Sequence, residues 1–236
     1  MEDDIIQLSY KSVCLRKSDI SCFNNYNYLN DLSISFYYEV LSEKFSKFET
    51  EFLLLDPSCV CTIFFDDEIS DLKDCFGALG FESRKFIFIP VNDTTDKYAY
   101  GSGNHWALVV YYSQTKTFYY LDSMKTFIKN TIEICRKINL LIGNNENQPV
   151  IEDVDIPKLQ LNTFDCGVFV LNFTEIILDF FYGNRNEKEP KKESNTEKTF
   201  GSKFDKIITQ ENSGQDTIAK KRVEVRNLVH SMIKKK

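Results

Sequence analysis

An α+β fold is predicted by three observations on this 236-residue chain. Residues 30–45 carry aromatic and aliphatic side chains at helical spacing. Two strand-like runs flank the polar break Ser113-Gln-Thr-Lys116, and an apolar stretch runs from Cys166 to Phe181. With 42% hydrophobic residues the chain can bury a substantial core, and residues 1–236 read as one domain without internal repeats.

The elements follow in order. Asn30 to Phe45 reads as an early helix. Arg84-Lys-Phe-Ile-Phe-Ile-Pro-Val91 reads as a buried strand, and His105-Trp-Ala-Leu-Val-Val-Tyr-Tyr112 pairs with Thr117-Phe-Tyr-Tyr-Leu-Asp122 as a hairpin. Residues 93–104 form a polar loop leading into His105, of a composition that suits a gate ordering on ligand binding. Lys125 to Ile142 reads as a helix, and Cys166 to Phe181 as the core helix. Residues 184–215 are charged and poor in hydrophobes, so they are expected to be mobile. Residues 216–236 then form a C-terminal helix of the same domain, capped by Asp216 or Thr217, with Ile218, Val225, Leu228, Val229 and Met232 as its apolar stripe.

Charge divides the chain. Residues 1–183 hold 15 basic and 27 acidic side chains, and residues 184–236 hold 14 and 8. An acidic body argues against nucleic acid, whose phosphates need a basic footprint, and favours a basic partner surface. No apolar run reaches the roughly 18 residues of a membrane span, and the acidic N-terminus does not resemble a signal peptide. Seven cysteines at irregular spacing, with no C-x-x-C pair, suggest a reduced protein of the cytoplasm or nucleus without a structural metal. Cys14, Cys22, Cys59, Cys61, Cys75 and Cys135 are each read as small core residues.

Cys166 differs from those six because it opens an apolar helix. Unpaired N–H groups and the positive end of the dipole at a helix start favour a thiolate. Of the two histidines, His230 sits in a basic C-terminal stretch suited to a solvated helix end, whereas His105 opens a strand. If the hairpin turn is centred on Gln114 and Thr115, His105 lies opposite Met124 and diagonal to Asp122, at the roughly 7–8 Å of a diagonal pair. A carboxylate there can hold the imidazole in one tautomer and support its protonated form.

The order His105, Asp122, Gln160, Cys166 resembles that of the ubiquitin-like-protein proteases, the family of SUMO/sentrin-specific cysteine proteases, and most of all its deneddylating branch. The resemblance runs through Leu15-Arg-Lys-Ser-Asp19, Tyr28-Leu29-Asn30-Asp31, Phe88-Ile-Pro-Val-Asn92-Asp93, Gly103-Asn-His105-Trp106, Tyr120-Leu-Asp122-Ser123, Gln160 to Gly167 and Ala219-Lys-Lys-Arg222. It implies a papain-like cysteine protease fold, with a central mixed sheet flanked by helices and the nucleophile at a helix N-terminus. By the same resemblance, Cys166 is the nucleophile, His105 the general base and then acid, Asp122 its orienter and Gln160 an oxyanion donor. No cofactor or metal is implied. The partner is a ubiquitin-like modifier of the Nedd/Rub type with its conjugates, cullins among the candidates, met by a monomer.

In that family the modifier's Gly-Gly tail threads a narrow tunnel. Trp106 matches one of its covers. Strict strand alternation puts Trp106 on the opposite face from His105, so a cover role needs an irregularity where the strand begins. Tyr28 stands where the family has a tryptophan, and Asp31 matches the acid that pairs with a tail arginine. Leu29, Asn30, Asn92 and Asp165 fall in the same motifs and are expected beside the tail, as is Gly167, which lets a backbone approach closely. Asn30 or Asp31 equally suits a helix cap. Residues 184–215 stand as an insertion relative to the family.

Three functions fit these residues: an isopeptidase acting after a Gly-Gly terminus, of Nedd/Rub or SUMO specificity; an acyltransferase of the same clan; and a non-catalytic modifier-binding module. An acyltransferase would depend on acetyl-CoA, and the chain has no Gly-rich phosphate cradle. A binding module has no need of Cys166 or His105.

Overall fold

The computed structural model describes residues 4–96, 103–144, 148–156, 158–183, 204 and 206–235. Its centre is a five-stranded mixed sheet of β3 (Phe52–Leu54), β4 (Phe86–Asn92), β5 (Trp106–Tyr112), β6 (Thr117–Leu121) and β7 (Val150–Asp153), in that spatial order. The three central strands are antiparallel, while β3 and β7 join the edges in parallel.

Both faces of the sheet are covered, which is why β4, β5 and β6 read as nearly continuous apolar runs. Alternation divides their side chains between two cores. Phe86, Phe88, Leu108, Val110, Tyr112 and Leu121 pack with the aliphatic face of α6 (Cys166–Tyr182). Ile87, Ile89, Val109, Tyr111, Phe118 and Tyr120 pack under α5 (Asn130–Leu141) together with Val60 and Ile63 of α3 (Pro57–Phe65). Outside the sheet lie a short hairpin, β1 (Ile6–Tyr10) with β2 (Val13–Arg16), and the helices α1 (Lys17–Ser21), α2 (Asp31–Lys44), α4 (Ile69–Phe76), α7 (Gln210–Ser213) and α8 (Gln215–Ile233). Lys137 of α5 is fully buried, and its ammonium donates to the Phe64 and Asp66 carbonyls at 2.8 Å, binding α5 to the last turn of α3.

Several expectations are corrected. Lys125 to Ile142 is not one helix: Lys125 has φ 58°, residues 122–126 fold back on Asp122, and α5 starts only at Asn130. Of the six cysteines read as core, only Cys135 is buried; Cys14 and Cys75 are exposed and Cys22, Cys59 and Cys61 are half-buried. The mobile segment cannot reach 215. Phe204, Ile207 and Ile208 are buried in the main core, and α7 is gripped by Asn172, which donates to the Asn212 carbonyl and the Ser213 hydroxyl. Its remainder, residues 184–203, lies outside the described residues, as do 97–102 of the expected gate. Finally, α8 starts at Gln215 behind Gly214, so neither Asp216 nor Thr217 is its cap.

Candidate functional site

The site is assembled at one end of β5 and β6, where the hairpin meets the first turn of α6. Tyr112 pairs with Thr117 and Leu108 with Leu121, the register expected from a turn at Gln114-Thr115. Beyond the last paired residues the chains converge, and His105 Nε2 lies 2.9 Å from Asp122 Oδ1. Asp122 is itself held by the Met124 N–H at 2.8 Å on Oδ1, and by the Thr126 N–H and hydroxyl and the Tyr120 hydroxyl on Oδ2. A buried carboxylate with that many donors cannot turn, and so it fixes the imidazole plane.

With Nε2 taken by Asp122, Nδ1 is the ring nitrogen left to face Cys166, whose side chain is near enough to act on the imidazole. Burial alone would pull the imidazole pKa down. The bond and charge of Asp122 and those of Cys166 outweigh burial and raise it from 6.5 to about 10. Burial works against the Asp122 carboxylate too, but His105, Met124 N–H and Thr126 hold its pKa below the usual value. At neutral pH His105 therefore already holds the proton that a departing amine needs. His230 is exposed on α8.

Gln160 is buried, and its amide is fixed on both sides. Its Oε1 accepts from the Ser123 hydroxyl at 2.7 Å, and Nε2 donates to the Asn162 carbonyl at 2.8 Å. The Ser123 carbonyl also accepts from the Leu159 and Gln160 N–H groups. One amide hydrogen of Gln160 remains for a ligand. Ser123 is a residue whose part sequence reasoning missed, although it follows Asp122 directly: it ties the hairpin to the loop that leads into α6.

Asp165 is the N-cap residue of α6 yet makes no side-chain cap bond. Its carboxylate is drawn away to Arg222 Nε at 2.8 Å, to Gln215 Nε2 at 2.7 Å and to Asn162 Nδ2 at 2.7 Å. The first N–H groups of α6 thus lack the side-chain acceptor a helix start usually recruits, and they stay available to an anion. Arg222 completes its fork on the carbonyls of Cys22, Asn24 and Phe164. Both side chains of the Asp165–Arg222 pair are 3% exposed. Removing one partner would strand a buried charge at a cost of about 3–5 kcal/mol.

The residues expected beside a substrate tail separate into two groups. Tyr28, Leu29, Asn30, Asp31, Asn92 and Trp106 line one cavity of about 360 Å³ between α2, α3 and the end of β5. Tyr28 also borders a second, of about 530 Å³, together with His105, Asp93, Met124 and Thr163. Trp106 is nearly buried and gives its indole N–H to the Leu29 carbonyl at 3.0 Å. Trp106 keeps the strand alternation, packing in the same core as Leu108 and Val110, while Asp93 Oδ1 accepts the N–H groups of Asn104 and His105 just before it. Asp31 is half-buried, and burial followed by the charge of Asp56 raises its carboxyl pKa. Among the described residues it has no cationic partner.

Asp165 and Gly167 line neither cavity and serve the fold, while Asn30 and Leu29 combine a cavity-lining place with a structural role. Asn30 caps α2 by accepting from Ser33 N–H and donates Nδ2 to Asp19. Asp165 is buried in its ion pair. Gly167 faces protein: a Cβ there would come within 2.9 Å of the Leu29 Cβ, so its missing side chain makes room for Leu29. Leu29 is itself buried between Gly167 and Trp106. Among the described residues no group of His, Cys, Asp or Glu is placed to hold a metal, and no helix is long and apolar enough to cross a membrane.

Comparison with known proteins agrees with this geometry. Residues 24–189 match the Ulp1 protease family, C-terminal catalytic domain. The chain is 32% identical over 80% of its length to NEDD8-specific protease 1 of Arabidopsis thaliana, covering 82% of that protein. It is 28% identical to a probable sentrin-specific protease 8 of Dictyostelium discoideum, covering 97% of this chain and 98% of that one. Among solved structures, the C-terminal Ulp1 protease domain in complex with SMT3, the yeast ortholog of SUMO, superposes with a TM-score of 0.63 over 98% of this chain and 90% of that one, at 14% identity. A match over more than half its length, with the mixed sheet and helix-borne cysteine in place, makes this chain a member of the Ulp1 protease family.

Proposed function

We propose that the protein is a thiol isopeptidase that cleaves after the C-terminal Gly-Gly of a ubiquitin-like modifier of the Nedd/Rub type, maturing its precursor and releasing it from conjugates such as cullins. The observation that carries this reading is His105 held between Asp122 at 2.9 Å and Cys166 at the uncapped start of α6. The Cys166 sulfur attacks the glycine carbonyl; His105, already protonated, gives its proton to the leaving amine; a water then hydrolyses the thioester with His105 as base. The tetrahedral oxyanion is met by the remaining amide hydrogen of Gln160 and the Cys166 N–H. A modifier of this kind is favoured by the acidic body and by the relatives named for NEDD8. The enzyme acts as a monomer in cytoplasm or nucleus.

The test is a panel of Nedd/Rub, SUMO and ubiquitin proteins tipped with an electrophile, with the adduct mapped by mass. Nedd/Rub is expected to label Cys166 fastest. Equal labelling by all three would refute the modifier assignment, and labelling elsewhere would refute the nucleophile.

Two substitutions extend the test. Gln160→Ala is expected to lower kcat roughly 10- to 1000-fold, the scale of one oxyanion donor, with little change in KM. An unchanged kcat removes Gln160 from the oxyanion site. Asp31→Asn is expected to raise KM about 10- to 100-fold for a modifier ending in an arginine-containing tail, since a charged hydrogen bond contributes about 1.5–3 kcal/mol. The relief of a raised carboxyl by an incoming guanidinium is the physical basis, and an unaltered KM would exclude it.

A further inference from the structure

The 160–165 loop carries Gln160 at one end and delivers Cys166 at the other, so its shape sets where the oxyanion donors stand relative to the sulfur. Asn162 turns the loop on itself: Oδ1 accepts the Phe164 and Asp165 N–H groups, while its carbonyl holds Gln160. Ser123 fastens the Gln160 end to the hairpin, and the stretch from Leu161 to Asp165 is held from outside by two side chains of α8. Gln215 Oε1 accepts the Leu161 N–H at 3.0 Å, directly after Gln160, and Gln215 Nε2 donates to Asp165. Arg222 grips Asp165 and the Phe164 carbonyl, directly before Cys166. The two side chains are seven residues apart, two turns and about 10 Å along one helix face. Leu161 itself is 80% exposed and cannot anchor the loop by packing.

We propose that Gln215 and Arg222 of α8 are positioning residues for the oxyanion site, clamping the 160–165 loop at both ends and drawing Asp165 off the α6 N-terminus so that its first N–H groups stay free. The clamp rests on the proposed protease reading. It adds that a helix about 50 residues beyond the nucleophile in sequence sets the geometry of the reaction. Arg222 suits the task because its planar fork serves a carboxylate and three carbonyls together, which an ammonium cannot.

The test is a double-mutant cycle on the full chain, with rates corrected for the folded fraction from thermal melts. Gln215→Ala alone is expected to lower kcat on a modifier–Gly-Gly reporter roughly 10- to 100-fold at nearly constant KM, the scale of a small misplacement of reacting groups. In a Gln160→Ala background the same change is expected to add less than about a 3-fold loss, because the donor it positions is gone. A merely structural role would give equal losses in both backgrounds, and that result overturns the proposal. Arg222→Lys is expected to lower kcat with a retained melt; full kcat would equally overturn it. Wild-type protein inert toward every modifier reporter would instead overturn the protease reading and the clamp with it.

Discussion

Cys166→Ala is expected to abolish turnover, by roughly 10⁴- to 10⁶-fold as for other nucleophile deletions, and to leave modifier binding intact. The sulfur is buried at the head of α6 and contributes little contact area, whereas the cavities beside it are formed by Tyr28, Asp31, Trp106 and their neighbours. No other thiol can take over. Cys135 is buried under the sheet, where desolvation pushes its pKa far up; burial also raises those of Cys22 and Cys61, the latter on the cavity wall; and Cys14, Cys59 and Cys75 lie on the surface or in α3 and α4. Reporter cleavage and calorimetric binding of the intact modifier check both halves. Cleavage at even a few per cent of the wild-type rate would place the nucleophile elsewhere.

Asp122→Asn has the next largest expected effect, a loss of about 10³- to 10⁴-fold in kcat, because the imidazolium loses its counter-charge and the ring its enforced orientation. Stability is expected to fall by only about 1–3 kcal/mol. An asparagine amide would set its N–H groups against donors from Tyr120, Thr126 or Met124, an unfavourable but local conflict. A loss of 10³-fold corresponds to about 4 kcal/mol of barrier, so chemistry suffers more than folding. Melts and rates on the same preparation separate the two, and a variant that is simply unfolded would make Asp122 a structural residue.

The pair also predicts a pH signature. His105 has a folded pKa raised above 6.5, so its charged form stabilises the fold fully below about pH 6.5, and that contribution is lost as pH rises through the folded value. In a Cys166→Ala background Asp122 still supports the imidazolium. Thermal midpoints there should fall as pH rises above 6.5, and adding Asp122→Asn should flatten the slope. Equal slopes in both proteins would deny the coupling.

Much of the fold was legible because periodicity survives in long elements. The helix at 30–45, the strand at 84–91, the hairpin and the helix at 166–181 all appear within a residue or two of their expected bounds. Short or edge elements were not: β3 has three residues, β7 is largely exposed, and neither length nor alternation marks them. The helix α3 does carry a local signal, Asp56 as cap before Pro57. The Lys125–Ile142 reading failed because a helical composition was overridden by the pull of Asp122 on the Thr126 N–H and hydroxyl.

The sequence by itself determined the chemistry: one cysteine at a helix start, one histidine opening a strand, and an aspartate seventeen positions on, which hairpin register alone brings to the same end of the sheet. Local rules suffice there, because register and helix polarity are short-range properties of the backbone. Only the tertiary structure decided which neighbours serve the substrate and which serve the fold. Asp165 and Gly167 stand in the motifs as promisingly as Asp31 and Tyr28, but Arg222 claims the first from 57 residues away and Leu29, from the N-terminal segment, packs against the second. A side chain's availability depends on every group packed against it, and those partners come from distant segments whose approach no local pattern encodes.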